Sequence, residues 1–590
     1  MPGRTVFTVL EETAKQYGEA IALYQPTGSK AGSSYRTHSW NEWLRSSREI
    51  ALGLQSLGLK KGDIAAVLSE TRAEFYLVDV GIMGAGAVSA ALYTAYPMAD
   101  LAQNIRDAAP RVLFVEDVKT REALKSAAQE QGVAWPEHEI LMTGELPGIL
   151  TLENLRVRGQ EILQRDPEAF AKLLATISPE DGAILYLTSG ATGQPKMGLT
   201  SHAAVLANID MGPVALPIGP KDSTVVFLPS AHIAQRIVLE LVPMRMGTPI
   251  YFSESLAKLP NELRSVRPTI FLAPPRVWER MYATIQTEIK KRPAIARKLF
   301  HGALGLGLKA VQYRTEGKPL PPWMVRSLKV ADKLVFSKIR ERLGGNIRIA
   351  ASGAAPLGKD LAEFYAAIGM PLIEGYGLTE AGILCFNPID NPKAGSIGKL
   401  LPEVEGRLAE DGELQVRTPC LFEGYYHDEA ATRSVVSEDG WFSTGDIGAV
   451  DADGFWYITG RKKELIVSSN GKKIYPARIE SLFRVEPLVN QILILGDKKP
   501  YVTALLTLNA AQAKDLQDDG STTKAVQAAV SRVNKQLADF ERIRRFKVLA
   551  QDFSIEQGEL TPTMKIRRAR VLENHQELVS QLYLGREDSP

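Results

Sequence analysis

An α/β fold with a large leading part and a smaller trailing one is predicted by three features of the 590-residue sequence. The first is length, which exceeds what one hydrophobic core usually fills. The second is an alternation of helix-spaced apolar residues with short β-branched runs across the earlier part. The third is a change of texture from Gly395 onward, where short alternating strands separated by Gly/Asp turns take over.

Taken in order, Trp40–Leu57 has helical spacing, while Ile64–Leu68 and Val112–Val115 read as strands. Ala183–Leu187, Thr224–Leu228, Thr269–Leu272, Ile347–Ala351 and Leu372–Ile373 repeat the strand pattern, each bounded by turn residues or helix. Short apolar runs of this kind predict buried, largely parallel sheets. After Gly395, the stretches GELQVRT (412–418), EDGWFSTGD (438–446) and DADGFWYITGR (451–461) read as short strands with tight turns. The break to the smaller unit falls at GRKKE (460–464), where Gly460 offers the backbone freedom a hinge requires. The expected units are therefore 1–460 and 461–590.

Seventy basic against 68 acidic side chains give a net charge of only +2, so whole-molecule charge offers no case for nucleic-acid binding. The balance is uneven along the chain. Residues 290–348 hold fifteen Lys/Arg and three acids, a local +12, which leaves 55 against 65 elsewhere. Within them, Val325, Leu328, Val335 and Ile339 fall near helical spacing. The basic face of such a helix suits anionic lipid headgroups, the phosphates of a ligand, or plain solvent.

Cys385 and Cys420 are the only cysteines, which excludes a disulfide framework and points to a reducing compartment. Glu11, Glu12 and Lys15 interrupt what a secretory signal would keep apolar, and no run approaches a membrane span. The expectation is a cytoplasmic protein, with the inner face of a membrane within reach of the basic segment. Monomer and homodimer are equally open.

YLTSGATGQPKMG (186–198) crowds hydroxyls, glycines and one lysine behind an apolar run. Freed backbone N–H groups, hydroxyls and an ammonium are what a polyphosphate needs, although such a loop can also be a simple turn. It is not a Walker loop, because Gln194-Pro195 separates Gly193 from Lys196 and Met197 follows. IEGYGLTEAG (373–382) offers an aromatic face at Tyr376 between two glycines, then the hydroxyl of Thr379 and the carboxylate of Glu380. That suits a planar ligand and Mg²⁺, or a strand-to-helix turn with Glu380 in the first helical turn. In STGD (443–446), Asp446 follows a glycine in a turn and has two acceptor oxygens, a match for a vicinal diol, or for the turn itself. GELTPTMKIRR (558–568) would present Lys565 on a loop, among arginines that ordinarily mark surface charge.

These segments, in this order, resemble the adenylate-forming superfamily of acyl-CoA synthetases, nonribosomal adenylation domains and beetle luciferases, over roughly Tyr35 to Val571. TSGATGQPK looks like its phosphate loop, YGLTE its adenine and magnesium motif, STGD its ribose motif, GRKKELIVSSNGKKIYPARIE its hinge segment, and LTPTMK its catalytic lysine loop. FLPSAHIAQR (227–236), FLAPPRVWERM (271–281) and IRIAASGAAPL (347–357) look like the long-chain fatty acyl-CoA synthetases within it. Two departures fall in the phosphate loop, Ala191 where threonine is usual and Met197 where glycine is.

The resemblance implies two α/β subdomains plus a small β-barrel-like subdomain in the N-terminal domain, followed by a small mobile α+β C-terminal domain. It implies ATP and coenzyme A as co-substrates, Mg²⁺ as cofactor, and a fatty acid as the activated acid. Thr188, Ser189, Gly190, Ala191, Thr192, Gly193 and Lys196 would cradle the β- and γ-phosphates, with Thr188 and Glu380 on Mg²⁺. Gly353, Ala354, Ala355, Glu374, Gly375 and Tyr376 would line the adenine, Thr379 would touch the α-phosphate, and Asp446 would bind the ribose with Arg461 assisting. Lys463 would be the hinge, His232 would stand at the acyl site, Ser469, Asn470 and Gly471 would approach CoA, and Lys565 would be catalytic. The implied reaction is AMP-forming ligation of a long-chain fatty acid to CoA. The rivals are a fatty acyl-AMP ligase serving a carrier protein and a non-catalytic lipid- or nucleotide-binding homologue. Small residues in GIMGAGAVSAA and ASGAAP could leave room for an acyl chain or could serve close packing.

Overall fold

Residues 3–28, 34–188, 196–514, 516, 519–561 and 564–584 are described by a computed structural model of the chain. Two large sheets dominate. In the first, of nine strands, Leu372–Leu378, Ile349–Ser352, Ile270–Ala273, Thr224–Val226, Ile250–Phe252 and Ile21–Pro26 run parallel side by side. Antiparallel strands close its two edges, Tyr35–Ser39 on one side and Gly382–Phe386 with Lys399–Leu400 on the other. The second, of eight strands, is parallel from Gly182–Thr188 through Val88–Leu92, Ile64–Leu68, Val112–Val115 and His138–Leu141 to Leu150–Thr151. Lys196–Ser201 and Gly424–Tyr425 extend it antiparallel. The short β-branched runs are thus the interior strands, where neither face meets water and alternation is unnecessary.

Helices fill the space around these sheets. Trp40–Ser56 starts at a capping box in which Ser39 and Glu42 satisfy each other's backbone donors, and it buries Trp40, Trp43, Ile50 and Leu54. Ala73–Gly84 is buried along its whole length and touches strands of both sheets. Gly81 and Gly84 of GIMGAGAVSAA serve that packing rather than leaving room for an acyl chain. A Cβ on Gly81 would stand 2.7 Å from the Ile50 side chain, and one on Gly84 would stand 2.4 Å from the Phe7 ring. Arg236 is fully buried on a π-helical turn, Ala234–Leu241, with Nε 2.9 Å from Asp79 and Nη2 2.7 Å from the Ser89 hydroxyl. A guanidinium out of water must be paired, so the last residue of FLPSAHIAQR ties helix 73–84 and strand 88–92 together.

From Glu405 a four-stranded antiparallel sheet follows (405–408, 413–417, 442–450, 456–461), in the place of the β-barrel-like subdomain. Its last strand, Trp456–Arg461, leads into a 3₁₀ turn, Lys462–Glu464. Two further apolar clusters then draw their buried members from Ile466 onward. They pack around a three-stranded sheet in which Val489–Leu495 is antiparallel and Ile543–Val548 parallel to the central Val502–Leu508.

The basic segment is helical, Ala294–Thr315 and then Pro322–Ala331 continued through a π turn to Glu341. Of its expected apolar face, Ile339 is buried but Val325 is exposed, because Met324 and Ala331 occupy the inner side. No helix among the described residues is long and apolar enough to cross a membrane.

Candidate active site

A cleft of about 1650 Å³ separates the nine-stranded sheet with its flanking helices and the four-stranded sheet from the trailing unit. Ala354, Ala355, Glu374, Gly375, Tyr376, Asp446, Arg461, Lys463 and Lys565 all line it. Gly353 lies beneath, where a Cβ would stand 3.4 Å from the Gly375 carbonyl, and Ala354 takes a left-handed backbone at φ 70°.

Asp446 is not in a turn, as its sequence context predicts, but inside the strand Phe442–Val450. Gly445, at φ 71°, bends that strand just before it, and the ladder sets Asp446 opposite Arg461. Arg461 Nε lies 3.0 Å from Asp446 Oδ1, and the Tyr376 hydroxyl donates to Oδ2 at 2.7 Å. Only 3 % of Asp446 is exposed. Burial pushes its carboxyl above the usual range, while Arg461 and Tyr376 act in the opposite sense.

YGLTE is a hairpin and not a strand-to-helix turn, since Leu372–Leu378 reverses into Gly382–Phe386. Its glycines admit protein. A Cβ on Gly375 would meet the Phe386 ring at 2.7 Å, and one on Gly377 the Gly382 carbonyl at 2.4 Å. Glu374, upstream on the same strand, accepts the Leu357 N–H at 3.1 Å, and burial pushes its carboxyl up to about 7. Thr379 and Glu380 occupy the hairpin turn. Glu380 Oε1 accepts the Tyr425 hydroxyl at 2.8 Å, and Lys196 Nζ lies 4.5 Å from the centre of the Tyr425 ring. Thr188 and Lys196 face each other in an antiparallel ladder, and the loop between them, with Ser189, Gly190, Ala191, Thr192 and Gly193, lies outside the described residues.

Lys565 arrives from the trailing unit on a tight turn closed by Thr561 N–H to Lys565 carbonyl at 2.8 Å and by a bridge between Leu560 and Ile566. Pro562 and Thr563 of that turn lie outside the described residues. The Lys565 side chain keeps solvent access through the cleft mouth, yet protein surrounds it on the other sides. That crowding lowers its pKa to about 8, chiefly by stripping water from the ammonium and next by the nearby Arg461, with Asp446, Glu380 and Glu464 pulling the other way. The surface open to the cleft limits the size of the desolvation effect but not its direction. Lys565 also helps depress half-buried His232, whose pKa falls to about 3 mainly through burial, so that its ring is neutral and Nδ1 accepts the Ala234 N–H at 3.1 Å.

Three features escape motif reading. Tyr425 links Glu380 and Lys196 but sits in an unremarkable LFEGYY stretch. Arg484 of the trailing unit pairs with Glu279 of helix Pro275–Lys290, and Arg276 of that helix donates to the Asn490 carbonyl. Lys290 adds a bond to Gln512 at 2.8 Å. Such partners are more than 200 residues apart, so no local signal announces them. Lys462, beside Lys463, is anchored to Asp411 at 2.5 Å and Glu413 at 2.8 Å. Ser469, Asn470 and Gly471 are not brought to the cleft with Asp446 and Lys565. They form the turn between Ile466–Val467 and Lys473–Ile474, with Gly471 at φ 73°.

This architecture, two stacked α/β layers with a cleft closed by a small trailing unit, is that of adenylate-forming enzymes. The chain belongs to the AMP-binding enzyme family, whose description matches residues 10–426, with the family's C-terminal domain matching 463–587. It is 34 % identical over 556 residues to a Mycobacterium bovis protein named long-chain-fatty-acid–CoA ligase FadD15, covering 91 % of this chain and 90 % of that one. It is 29 % identical to the human long-chain-fatty-acid–CoA ligase ACSBG1, covering 98 % and 85 %. Among solved structures, the adenylation domain of a Mycobacterium chelonae carboxylate reductase superposes with a TM-score of 0.78 at 22 % identity, covering 99 % of this chain and 92 % of that one. The anthranilate CoA ligase AuaEII, solved with anthranoyl-AMP, gives 0.75 at 18 % identity, with 98 % and 99 % covered.

Proposed function

We propose that this protein is an AMP-forming ligase that joins a long-chain fatty acid to coenzyme A through an acyl-adenylate. The observation that carries the reading is the position of Lys565, held from the trailing unit in a cleft that also presents the buried Asp446–Arg461–Tyr376 cluster. In adenylation a carboxylate attacks the α-phosphorus of ATP, so two anions must be brought together and the protein's main task is to cancel charge.

Residue roles follow from chemistry and placement. Asp446, with acceptor capacity left after its bonds to Arg461 and Tyr376, would take the ribose hydroxyls. Tyr376, Gly353, Ala354, Ala355, Glu374 and Gly375 would surround the adenine. Thr379 would meet the α-phosphate, while Lys196 and the loop from Thr188 to Gly193 would hold the outer phosphates. Lys565 would neutralise the charge that builds as the acid attacks. Neutral His232 would border the acid without adding a second positive charge.

Mg²⁺ fits this set. Glu380 and Thr188 would supply oxygen ligands, and phosphate and water the rest; among the described residues no group of three or more His, Cys, Asp or Glu could hold a metal ion. An ion that prefers oxygen and retains water and phosphate ligands suits such a site. When bound, it would neutralise phosphate charge.

With Arg461 closing the last strand of the four-stranded sheet, the unit that follows it would turn about Lys463, withdraw Lys565 and bring Ser469, Asn470 and Gly471 toward CoA. A thiol pKa near ~8.5 leaves some thiolate at neutral pH, so no strong protein base is required for the transfer. For the acid, each buried CH₂ contributes roughly 0.8 kcal/mol, which favours long chains, in keeping with the names of the relatives.

The test is acyl-CoA formation with ATP across straight-chain acids from acetate to arachidic acid. AMP and acyl-CoA should appear together, with long acids preferred. Acid-dependent ATP:pyrophosphate exchange without transfer to CoA would instead assign the acyl group to a carrier protein. Absence of exchange with every acid would reduce the chain to a binding protein.

A further inference from the structure

The helices of the basic segment carry apolar side chains on the outside as well as the inside. Helix Ala294–Thr315 turns Phe300, Ala303, Gly307 and Ala310 inward, yet Ile295 and Leu299, one turn apart, remain 83 % and 48 % exposed. Helix Pro322–Ala331 and its continuation turn Met324, Ala331, Phe336 and Ile339 inward, yet Trp323, Val330 and Leu334, spaced i, i+7 and i+11, remain 55 %, 58 % and 46 % exposed. A surface helix needs one apolar stripe for its own core. These have two. Seven of the seventeen exposed large apolar side chains among the described residues fall between Ile295 and Leu334.

The charge around this second stripe is one-sided. Arg297, Lys298, Lys309, Arg326, Lys329 and Lys333 make no ion pair with an acid among the described residues, and the segment as a whole is +12 while the remainder is −10. None of its lysines or arginines lines the cleft among the described residues.

We infer that the outer face of helices 294–315 and 322–341 is a docking surface for an anionic lipid bilayer. Exposed Trp and aliphatic side chains interleaved with unpaired Lys and Arg are the composition of a helix pair lying in the headgroup region, where the cations meet lipid phosphates and the apolar stripe enters the acyl boundary. A nucleic acid would use the cations but has no place for the aliphatic stripe, and a second copy of this chain would bring like charge to like. The inference is independent of the ligase reading, since it concerns binding and not catalysis.

Flotation of the full chain with vesicles of phosphatidylcholine alone or mixed with phosphatidylglycerol tests it. The protein should float with the anionic vesicles, and added salt should release it. Lys329→Gln with Lys333→Gln should lower partitioning about 30-fold, at roughly fivefold per cation. Trp323→Ser with Val330→Ser should lower it about tenfold, while the thermal midpoint stays near that of the parent because both side chains are exposed. Equal partitioning to neutral and anionic vesicles, or retention by all four substitutions together, overturns the inference. So does conversion of a dimer to a monomer by Trp323→Ser with vesicle binding unchanged, which would make the face an interface between copies.

Discussion

Asp446 and Lys565 face the same cleft and are held in opposite ways. Asp446 is 3 % exposed, fixed in a strand by its ladder to Arg461, and already bonded by Tyr376 from a neighbouring sheet. Lys565 stands on a turn of the trailing unit, and its approach depends on contacts between units such as Arg484 with Glu279 and Lys290 with Gln512. The first group is preorganised whatever the trailing unit does. The second is present only while that unit is docked, so it suits one chemical step and can be absent from another.

The largest effect should come from Lys565→Ala. Loss of one positioned charge-stabilising donor costs about 3–4 kcal/mol, so fatty-acid-dependent ATP:pyrophosphate exchange should fall about 10²- to 10³-fold. An exchange rate near that of the parent would remove Lys565 from the chemistry.

Asp446→Asn should do less to adenylation and more to everything else. A hydrogen bond to a charged group contributes about 1.5–3 kcal/mol, so the KM for ATP should rise about 10- to 10²-fold, and use of the bound adenylate should suffer alongside it. A variant impaired in one half-reaction alone would erase the contrast between the two sites.

Glu279→Gln tests the contact instead of the chemistry. The pair with Arg484 is mostly shielded from solvent, between the exposed and the buried limits for ion pairs, and is worth about 1–2 kcal/mol. Exchange should fall about five- to thirtyfold, with CoA transfer from a supplied acyl-adenylate held or increased. Loss of both activities would mean the substitution damages helix Pro275–Lys290 itself.

The smallest effect is in pH. With its pKa lowered to about 8, Lys565 is charged below that value and neutral above it, so kcat/KM for ATP in adenylation should decline as pH rises through about 8. Lys565→Arg keeps its charge and should flatten the decline. An unchanged profile in that variant would place the titration elsewhere.

How far the sequence foretold this depends on whether the determining contact is local. The interior strands were legible because burial on both faces leaves an uninterrupted β-branched run, as in Val112–Val115. Asp446, Tyr376 and Lys565 were legible as motif members, because each stands beside a glycine or a turn signal that constrains the backbone. The backbone around them is less legible. STGD looks like a turn because Gly445 adopts a left-handed backbone, but the strand continues through it, and YGLTE reverses into a hairpin where a helix was the alternative. Tyr425, Glu279 and Arg484 gave no signal, since their importance lies in partners distant in the chain. Small residues proved ambiguous for a physical reason. Gly81 and Gly84 make room, and the room is taken by Ile50 and Phe7.

The most direct test supplies Lys565→Ala and Asp446→Asn with a preformed long-chain acyl-adenylate and CoA, and measures the rate of thioester formation. If Lys565 serves only the docked arrangement, its variant should convert the adenylate at a rate close to that of the parent, while Asp446→Asn should be slow. Equal impairment of both variants would contradict the account, because the lysine and the aspartate would then belong to one fixed site.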